Sequence, residues 1–224
     1  MWTATNSEGY PAPAALAADV VVLTVRGQEL EVLANRGEDG RRALPGVLVE
    51  AGEDPSAAAR RALVEKTGID EPYLEQLGAF AAPGRDPRGW IPSIAWLALV
   101  PPHAEVRDER AGWVRARGRH RWAYDHRDIV AAAIDRIEGK LWWSNVAVGV
   151  LGDEFPISAA RHVYEAIAAT NYDPATFARD LKATGLIEPT GAVRSGGPGR
   201  PAAIYRFTSR ELTWGAGRRK RVHE

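Results

Sequence analysis

The sequence predicts an α/β (α+β) domain followed by a C-terminal winged helix-turn-helix domain. In the first half, runs of β-branched and aliphatic residues alternate with one helical segment that has clear start and stop signals. The second half contains successive helical segments that end in two short strands around a glycine-rich loop. The chain of 224 residues has no net charge, but its charge is −4 up to Glu138 and +4 beyond it. This asymmetry predicts different roles for the two halves.

The composition is that of an ordinary globular protein, with 45% hydrophobic and 26% charged residues. Cysteine is absent, which excludes disulfides, thiolate metal sites and cysteine nucleophiles. The chain has no basic stretch ahead of its first apolar run, and no segment approaches the roughly 18 apolar residues of a membrane helix. We therefore expect a cytoplasmic protein that has no membrane partner.

The first domain is predicted over residues 16–138, after a flexible arm at residues 1–15. DVVVLTV and ELEVLANRG are separated by three residues and predict a β-hairpin. A helix is predicted from Pro55 to Thr67, because Asp54 is a suitable N-cap, proline is favoured at the first helical position, and Gly68 can cap the end. Two further strands are predicted over residues 73–84 and 90–102, on either side of the charged loop GRDPRG.

The joint between the domains is predicted to follow an arginine-rich stretch. Six arginines lie between Arg107 and Arg121, and we interpret this stretch as a solvated edge or an interdomain face. A helix then begins with Asp125 as N-cap and closes at Gly139, with its apolar residues along one side.

The second domain is predicted over residues 139–210, followed by a basic tail at 211–224. Residues 140–151, 157–170 and 173–185 have helical character, with Ser158 as the expected cap of the second segment. The third has Asp173 as N-cap and Gly185 just past its end. Three helices followed by a β-hairpin make a winged helix-turn-helix, and its position at the basic end of the chain favours binding to duplex DNA.

The stretch LPGVLVEAGEDPSAAARRALVEKTGI resembles the Nudix box of the Nudix hydrolases. Six positions agree with the pattern of that motif: Glu53, Arg61, Leu63, Glu65, Gly68 and Ile69. Three positions depart from it, because Val47 replaces the opening glycine, although Gly46 precedes it, and Ala62 and Lys66 replace two glutamates. The match, lying between strands in the right order, predicts the Nudix fold.

The departures affect the metal chemistry that the resemblance implies. Mg²⁺ prefers carboxylate, phosphate and water oxygens, and in Nudix hydrolases the helix glutamates are its ligands. Ala62, Glu65 and Lys66 are spaced to project from one helix face, but only Glu65 is a carboxylate. We therefore expect no metal site, no cofactor and no effective hydrolase activity. The expectation is that the helix is kept as a wall of a ligand-binding cleft.

A second resemblance covers nearly the whole chain. EQLGAFAAPGRDPRGWIPSIAWLALVP, the triplet Tyr124-Asp125-His126, and a winged helix ending in GRPAAIYRF are similar to the NrtR family of Nudix-related transcriptional regulators. The resemblance implies a homodimeric repressor of NAD biosynthesis or salvage genes, which binds a palindromic operator and senses ADP-ribose or a related NAD metabolite through residues 16–138. A residually active ADP-ribose pyrophosphatase with an accessory nucleic-acid-binding domain is the alternative. An RNA-binding Nudix protein is a third possibility, which the winged-helix order disfavours.

Candidate effector-binding residues come from the Nudix-like half. Arg36 and either Arg41 or Arg42 could meet a diphosphate or simply be solvated, and Lys66 could hold a phosphate or be a surface lysine. Arg61 and Glu65 could pair with each other as i, i+4 neighbours. Trp90 or Trp96 could stack on an adenine or belong to the core. The predicted set is Arg36, Arg41, Glu50, Arg61, Glu65, Lys66, Arg85, Asp86 and Arg88.

Candidate DNA-binding residues come from the third helical segment and the wing. Phe177, Leu181, Ile187 and Tyr205 form the expected core, and the residues off that stripe could face a major groove. Arginines beside the glycines of the wing could reach phosphates or a minor groove. The predicted set is Thr176, Arg179, Lys182, Arg194 and Arg200, and GRRKR at 217–221 could touch DNA or be a solvated end.

Overall fold

The computed structural model describes residues 5, 8, 9, 15–68, 73–194 and 201–215. The chain forms two compact units, one comprising Met1–Leu23 and Glu31–Ala133, the other Thr24–Leu30 and Ile134–Glu224. In the described part of the chain, none of the helices is both long enough and apolar enough to cross a membrane.

The first unit is built on a mixed β-sheet. Its elements are β1 Ala17–Arg26 and β2 Glu29–Arg36 apart from their joining tip Thr24–Leu30, then β3 Arg42–Ala43, β4 Gly46–Leu48, α1 Pro55–Thr67, β5 Tyr73–Phe80, β6 Ser93–Leu99, β7 Ala111–Arg115 and the start of α2 His126–Lys140. Among the described residues, the strands follow the order β3-β2-β1-β6-β5, with β4 paired to β1 and β7 to β2. The β1 and β6 strands pair in parallel, and β5 pairs antiparallel to β6. The predicted order of two strands, a helix and two further strands is confirmed.

Helix α1 has the predicted boundaries. The Asp54 carboxylate accepts a hydrogen bond from the Ser56 N–H at 2.7 Å, and Gly68 ends the helix with a left-handed φ of 74°. One face of the helix packs against the sheet in a core of small and aliphatic residues that includes Ala58, Ala59, Leu63, Val20 and Leu33.

The sequence did not predict three short strands of this sheet, β3, β4 and β7. The β7 strand lies inside the arginine-rich stretch and pairs with β2 from Glu31↔Arg115 to Asn35↔Ala111. The β4 strand contains Gly46, where a Cβ atom would collide with the Asp19 carboxylate. Glycine is therefore needed one position before the usual Nudix-box glycine, because β4 runs close against β1.

The second unit has the winged helix-turn-helix order. Its elements after α2 are α3 Val148–Leu151, β8 Phe155–Pro156, α4 Ile157–Ala168, α5 Pro174–Ala183, β9 Ile187–Arg194 and β10 Ala202–Phe207. The three strands of its sheet lie in the order β8-β10-β9. The predicted winged helix-turn-helix fold is confirmed, with Asp173 as the N-cap of α5 through its hydrogen bond from the Thr176 N–H.

Two local predictions in this unit are wrong. Only Val148–Leu151 of the segment 140–151 is α-helical beyond the end of α2, because Ser144 forms a β-bridge with Trp214. Ser158 is not the cap of α4, since that helix already begins at Ile157 after the extended residue Pro156.

Aromatic side chains form the centre of the winged helix. Trp142 makes edge contacts with three rings at centroid distances of 5.2 to 5.5 Å. These are Tyr164 of α4, Phe177 of α5, and Tyr172 in the loop between the two helices. Phe177, Leu181 and Ile187 are buried as predicted. Tyr205 is only partly buried, and the Lys182 Nζ lies 5.2 Å from its ring centroid.

Candidate functional site

The residues of α1 that were expected to converge do not do so. Ala62 has 0% exposure and lies in the core against the sheet. Glu65 is exposed, and Lys66 points to a different neighbour. Consecutive side chains project from a helix about 100° apart. The direction of Ala62 therefore lies between those of Glu65 and Lys66, so Ala62 can face the core while the other two side chains do not. Ala62 is therefore a packing residue of this unit.

Arg61 is the centre of an ion-pair cluster at the start of α1. Its guanidinium donates to both carboxylate oxygens of Glu53, at 3.0 and 2.9 Å, and to the Leu48 carbonyl at 3.1 Å. Glu50 and Glu65 are more distant, at 3.8 and 4.0 Å. The hydrogen bond from Arg61 holds the pKa of Glu53 below its usual value. The main partner of Arg61 is thus Glu53, and Glu65 contributes the weaker i, i+4 pair that the sequence suggested.

Lys66 is engaged by a carboxylate from a distant loop. Its Nζ lies 2.8 Å from the Asp108 Oδ2, and this ion pair lowers the pKa of Asp108. Among the described residues, no group of three or more His, Cys, Asp or Glu side chains could hold a metal ion. A divalent cation at this face of α1 would meet one exposed carboxylate of the helix, Glu65, and the ammonium of Lys66. These residues do not fit Mg²⁺.

Arg85 is the centre of a buried polar cluster. Its side chain is 3% exposed and donates to both oxygens of Asp125, at 2.9 and 2.8 Å, to Asp19 at 3.3 Å and to the Ile91 carbonyl at 2.8 Å. Burial by itself lowers the pKa of Arg85, but the two carboxylates outweigh burial and raise it. Arg85 therefore fastens the loop after β5 to β1 and to the residue that precedes α2.

His126 completes the cluster on the side of Asp19. Its Nδ1 accepts a hydrogen bond from the Leu44 N–H at 2.8 Å, and its Nε2 lies 3.6 Å from the Asp19 Oδ2. The ring is buried and contacts the Tyr124 ring at a centroid distance of 5.0 Å. The triplet Tyr124-Asp125-His126 thus connects α2 to the sheet.

The loop after β5 also borders a cavity. Asp86 is buried and accepts hydrogen bonds from the backbone and side chain of Arg88, which remains 58% exposed and lies over the Tyr124 ring at 5.8 Å. A cavity of about 420 Å³ is lined by Pro83, Gly84, Asp86, Gly89 and the partly exposed Trp90. Of the three charged residues predicted here, Arg88 is the one that faces solvent.

A second pocket gathers arginines at the β2, β3 and β7 edge. It measures about 520 Å³ and is lined by Arg36, Gly37, Glu38, Arg42, Glu109, Arg110, Ala111 and Gly112. Arg41 points elsewhere, with its Nε 2.5 Å from the Asp39 carboxylate. The structure therefore brings Arg36 together with Arg42 rather than with Arg41. Arg110, from the stretch that was interpreted as a solvated edge, is an addition that the sequence did not suggest.

The α5 helix presents a polar face to solvent. Thr176, Arg179 and Lys182 are exposed at intervals of three residues, while Phe177 and Leu181 are buried on the other side. Arg179 is 72% exposed and lies 3.1 Å from the Asp180 carboxylate. Arg194 is exposed at the end of β9, and Arg200 lies outside the described residues.

Two family models match the chain in the order of the two units. The NUDIX domain model matches residues 13–123, and the NrtR DNA-binding winged helix domain model matches residues 147–207. The chain is 31% identical over 210 residues to the ADPR responsive transcriptional repressor NtrR of Acinetobacter baylyi, covering 88% of this chain and 83% of that protein. The chain belongs to the NrtR family.

Solved structures of NrtR from Shewanella oneidensis are similar to this NrtR-family chain. The structure of that protein complexed with a 27mer DNA is 26% identical, with a TM-score of 0.74 over 86% of this chain and 93% of the other. The NUDIX domain of the same protein complexed with ADP ribose is 25% identical, with a TM-score of 0.52 over 59% of this chain and 94% of the other.

Proposed function

We propose that this NrtR-family protein is a homodimeric transcriptional repressor of NAD biosynthesis or salvage genes, which binds a palindromic operator and responds to ADP-ribose. The observation that carries the proposal is the similarity over 83% of the length of an ADPR responsive transcriptional repressor. The complex of Shewanella oneidensis NrtR with a 27mer DNA supports the DNA-binding half of the proposal. The complex of its NUDIX domain with ADP ribose supports the effector half.

We expect the protein to select particular sequences from a random pool of duplex DNA and to prefer them over RNA of the same sequence. Replacing Arg179 with alanine should weaken binding to the selected duplex by roughly ten- to a hundredfold, since a lost base contact costs about 1 to 3 kcal/mol. Binding to an unrelated duplex should change much less. Fluorescence anisotropy with both duplexes measures the two affinities and therefore the specificity ratio.

Arg210 provides the matched control for this experiment. It is exposed in the same unit and forms an ion pair with Asp153, so Arg210→Ala removes the same charge from outside α5. The specificity ratio of the control should equal that of the wild type. An Arg179 variant that kept the full ratio would show that α5 does not read bases through this residue.

The Nudix-like unit is proposed to bind ADP-ribose without hydrolysing it. Glu53 is bound by Arg61, Lys66 is bound by Asp108, and Ala62 supplies only a methyl group in the core. With ADP-ribose and Mg²⁺, we expect AMP release no faster than in buffer with Mg²⁺ alone. Turnover of several per second, which lies in the ordinary enzyme range, would instead favour the pyrophosphatase alternative.

The arginine pocket is the proposed site for the diphosphate of ADP-ribose. Arg36, Arg42 and Arg110 outnumber the two glutamates of the pocket, and a volume of about 520 Å³ is ordinary for a small-molecule site. Arginine suits this role because its planar guanidinium can bind phosphate oxygens in pairs. Of the other predicted effector residues, Arg88 is 58% exposed in the loop that borders the Trp90 cavity, and it is proposed as a further contact for the ligand.

The double substitution Arg36→Ala with Arg42→Ala should weaken ADP-ribose binding by roughly ten- to a hundredfold or more, because a hydrogen bond to a charged group contributes about 1.5 to 3 kcal/mol. Calorimetric titration measures this loss. Arg60→Ala with Arg127→Ala removes two exposed arginines of the same unit and should leave the affinity unchanged. Equal affinities in all three proteins would place the phosphates elsewhere in this unit.

A further inference from the structure

The segment that follows β10 is fastened to the winged helix by one buried side chain. We call residues 208–215 the strap. Asn145 is fully buried, and its Nδ2 donates to the carbonyls of Ser209 and Glu211 at 2.8 and 2.9 Å. Its Oδ1 accepts a hydrogen bond from the Thr213 N–H at 2.8 Å. All of these partners are backbone groups, so the side chain of Asn145 fixes the course of the strap.

Asn145 belongs to the segment that leaves α2. That helix ends at Lys140, whose carbonyl accepts hydrogen bonds from the Ser144 backbone N–H at 3.0 Å and from the Ser144 hydroxyl at 2.9 Å. Ser144 also forms an antiparallel β-bridge with Trp214 of the strap, and the Trp214 ring stacks on Trp143 at a centroid distance of 4.6 Å. The strap is therefore held by residues that are themselves bonded to the last turn of α2.

Both ends of the strap lie against the segment that follows α5. The Thr208 N–H donates to the Leu186 carbonyl at 2.9 Å. At the other end, a Cβ atom on Gly215 would lie only 2.7 Å from the carbonyl oxygen of Thr184, the C-cap residue of α5. The described residues end at Gly215, and the basic run at 217–221 lies outside them. The strap thus connects the end of α2 to the end of α5.

The hydrogen bonds of Asn145 differ in kind from the aromatic contacts of Trp142 in the same unit. Apolar contacts are non-directional, whereas hydrogen bonds weaken steeply when their geometry is distorted. A buried amide that loses its partners is also costly to the fold. The segment after α2, the strap and the end of α5 should therefore move together when α2 moves.

We propose that Asn145 is a positioning residue for ligand-controlled DNA binding, which makes the C-terminal end of α5 follow the end of α2. This inference rests on the proposed function, since it requires a protein that binds duplex DNA and responds to ADP-ribose. The exposed face of α5 carries Arg179 and Lys182, so a displacement of the helix end moves both cations relative to a bound duplex. Asn145 itself has no exposed surface with which to contact either ligand.

The test measures the factor by which saturating ADP-ribose weakens binding of each full-length protein to the selected operator duplex. The wild type should show a factor of roughly 5 to 150, the usual range of allosteric coupling. Asn145→Ala should reduce the factor to about twofold or less, because the strap is no longer held to the end of α2. Its affinity for ADP-ribose without DNA should equal that of the wild type, since Asn145 lies outside the Nudix-like unit.

Gly215→Ala disturbs the same connection from the side of α5. The added Cβ atom displaces the strap from the Thr184 carbonyl and leaves the Asn145 side chain in place. This variant should also lose the coupling, and it decides the matter if Asn145→Ala fails to fold. Asn171→Ala is the matched control, because Asn171 is exposed in the same unit between α4 and α5. It should keep the wild-type factor.

A merely structural role for Asn145 leads to a different result. Substitution would then lower the melting temperature and the operator affinity, but ADP-ribose would still weaken operator binding by the wild-type factor. Retention of that factor in either folded variant would overturn this inference and leave the proposed function intact. Loss of the factor in both variants, at unchanged ADP-ribose affinity, would support it. A wild type whose operator affinity did not change with ADP-ribose would overturn the effector half of the proposed function as well.

Discussion

Replacing Arg85 with alanine is expected to lower the free energy of unfolding of the Nudix-like unit by about 3 to 5 kcal/mol. The substitution leaves the carboxylates of Asp19 and Asp125 without their main cationic partner in a site where Arg85 itself is 3% exposed. It also removes the link between the loop after β5, strand β1 and the start of α2. The chain has two units, so hydrogen exchange of peptides from β1 and β6 in increasing denaturant is the appropriate measurement.

Arg88→Ala is the matched control, because it removes the same side chain type from the same loop. Arg88 pairs with Asp86 at 2.6 Å but is 58% exposed, so the expected cost is at most about 1 kcal/mol. Similar losses for the two variants would mean that the buried cluster contributes no more than a surface ion pair.

The loss of stability on replacing Arg85 should depend on pH, because its buried partner Asp19 is ionisable. Burial of Asp19 opposes its ionisation, but hydrogen bonding from His126 and the charge of Arg85 lower its pKa. A carboxyl group whose folded pKa is below its unfolded value stabilises the protein above the unfolded pKa, and this contribution is lost as pH falls through the folded pKa. The stability difference between wild type and Arg85→Ala should therefore narrow below about pH 4.

Local signals explain which elements the sequence predicted well. Helix α1 has the predicted ends because Asp54, Pro55 and Gly68 are adjacent to the boundaries they set. The two-residue strand β3 and the three-residue strand β4 have no such signal, because each is defined by a partner strand elsewhere in the chain. Ser144 was predicted to be helical for the same reason, since its pairing with Trp214 is a tertiary interaction.

The candidate site depends even more on partners that are distant in the sequence, which local sequence signals cannot predict. Lys66 and Asp108 are 42 positions apart, and Arg85 is 66 positions from Asp19. The sequence therefore identified Lys66 and Arg85 as candidate binding residues, but it could not show that each already forms an ion pair within the protein. Asp19 gave one usable signal, because a carboxylate inside the apolar run DVVVLTV needs a buried partner. Arg42 and Arg110 became neighbours in one pocket only through the positions of β3 and β7.

The second large effect is expected when effector and operator are studied together. Under the proposed function, saturating ADP-ribose should weaken operator binding by roughly 5- to 150-fold, which corresponds to a coupling free energy of ~1 to 3 kcal/mol. A symmetric dimer places two winged helices on half-sites about one helical turn, or a multiple of it, apart. The affinity of the dimer for the operator then depends on the distance between the two winged helices, and a small change in that distance is sufficient to weaken binding.

The helix α2 is the structural element through which we expect this coupling to act. It begins directly after Asp125, which Arg85 holds, and the division between the two units falls within it, between Ala133 and Ile134. Shortly after its end, Trp142 packs into the aromatic core of the winged helix. If ADP-ribose binding shifts the loop after β5, the resulting movement of Asp125 would act on α2, which continues without a break to Lys140.

Thermodynamic linkage provides the decisive measurement. If ADP-ribose weakens operator binding by a given factor, the operator must weaken ADP-ribose binding by the same factor. We expect calorimetric titration of ADP-ribose to give a lower affinity in the presence of saturating operator duplex than in its absence. The variant with alanine at Arg36 and Arg42 should bind the operator as the wild type does but require correspondingly more ADP-ribose for its release. Equal ADP-ribose affinities of the wild type with and without operator would mean that this ligand, however tightly it binds, is not the regulatory signal.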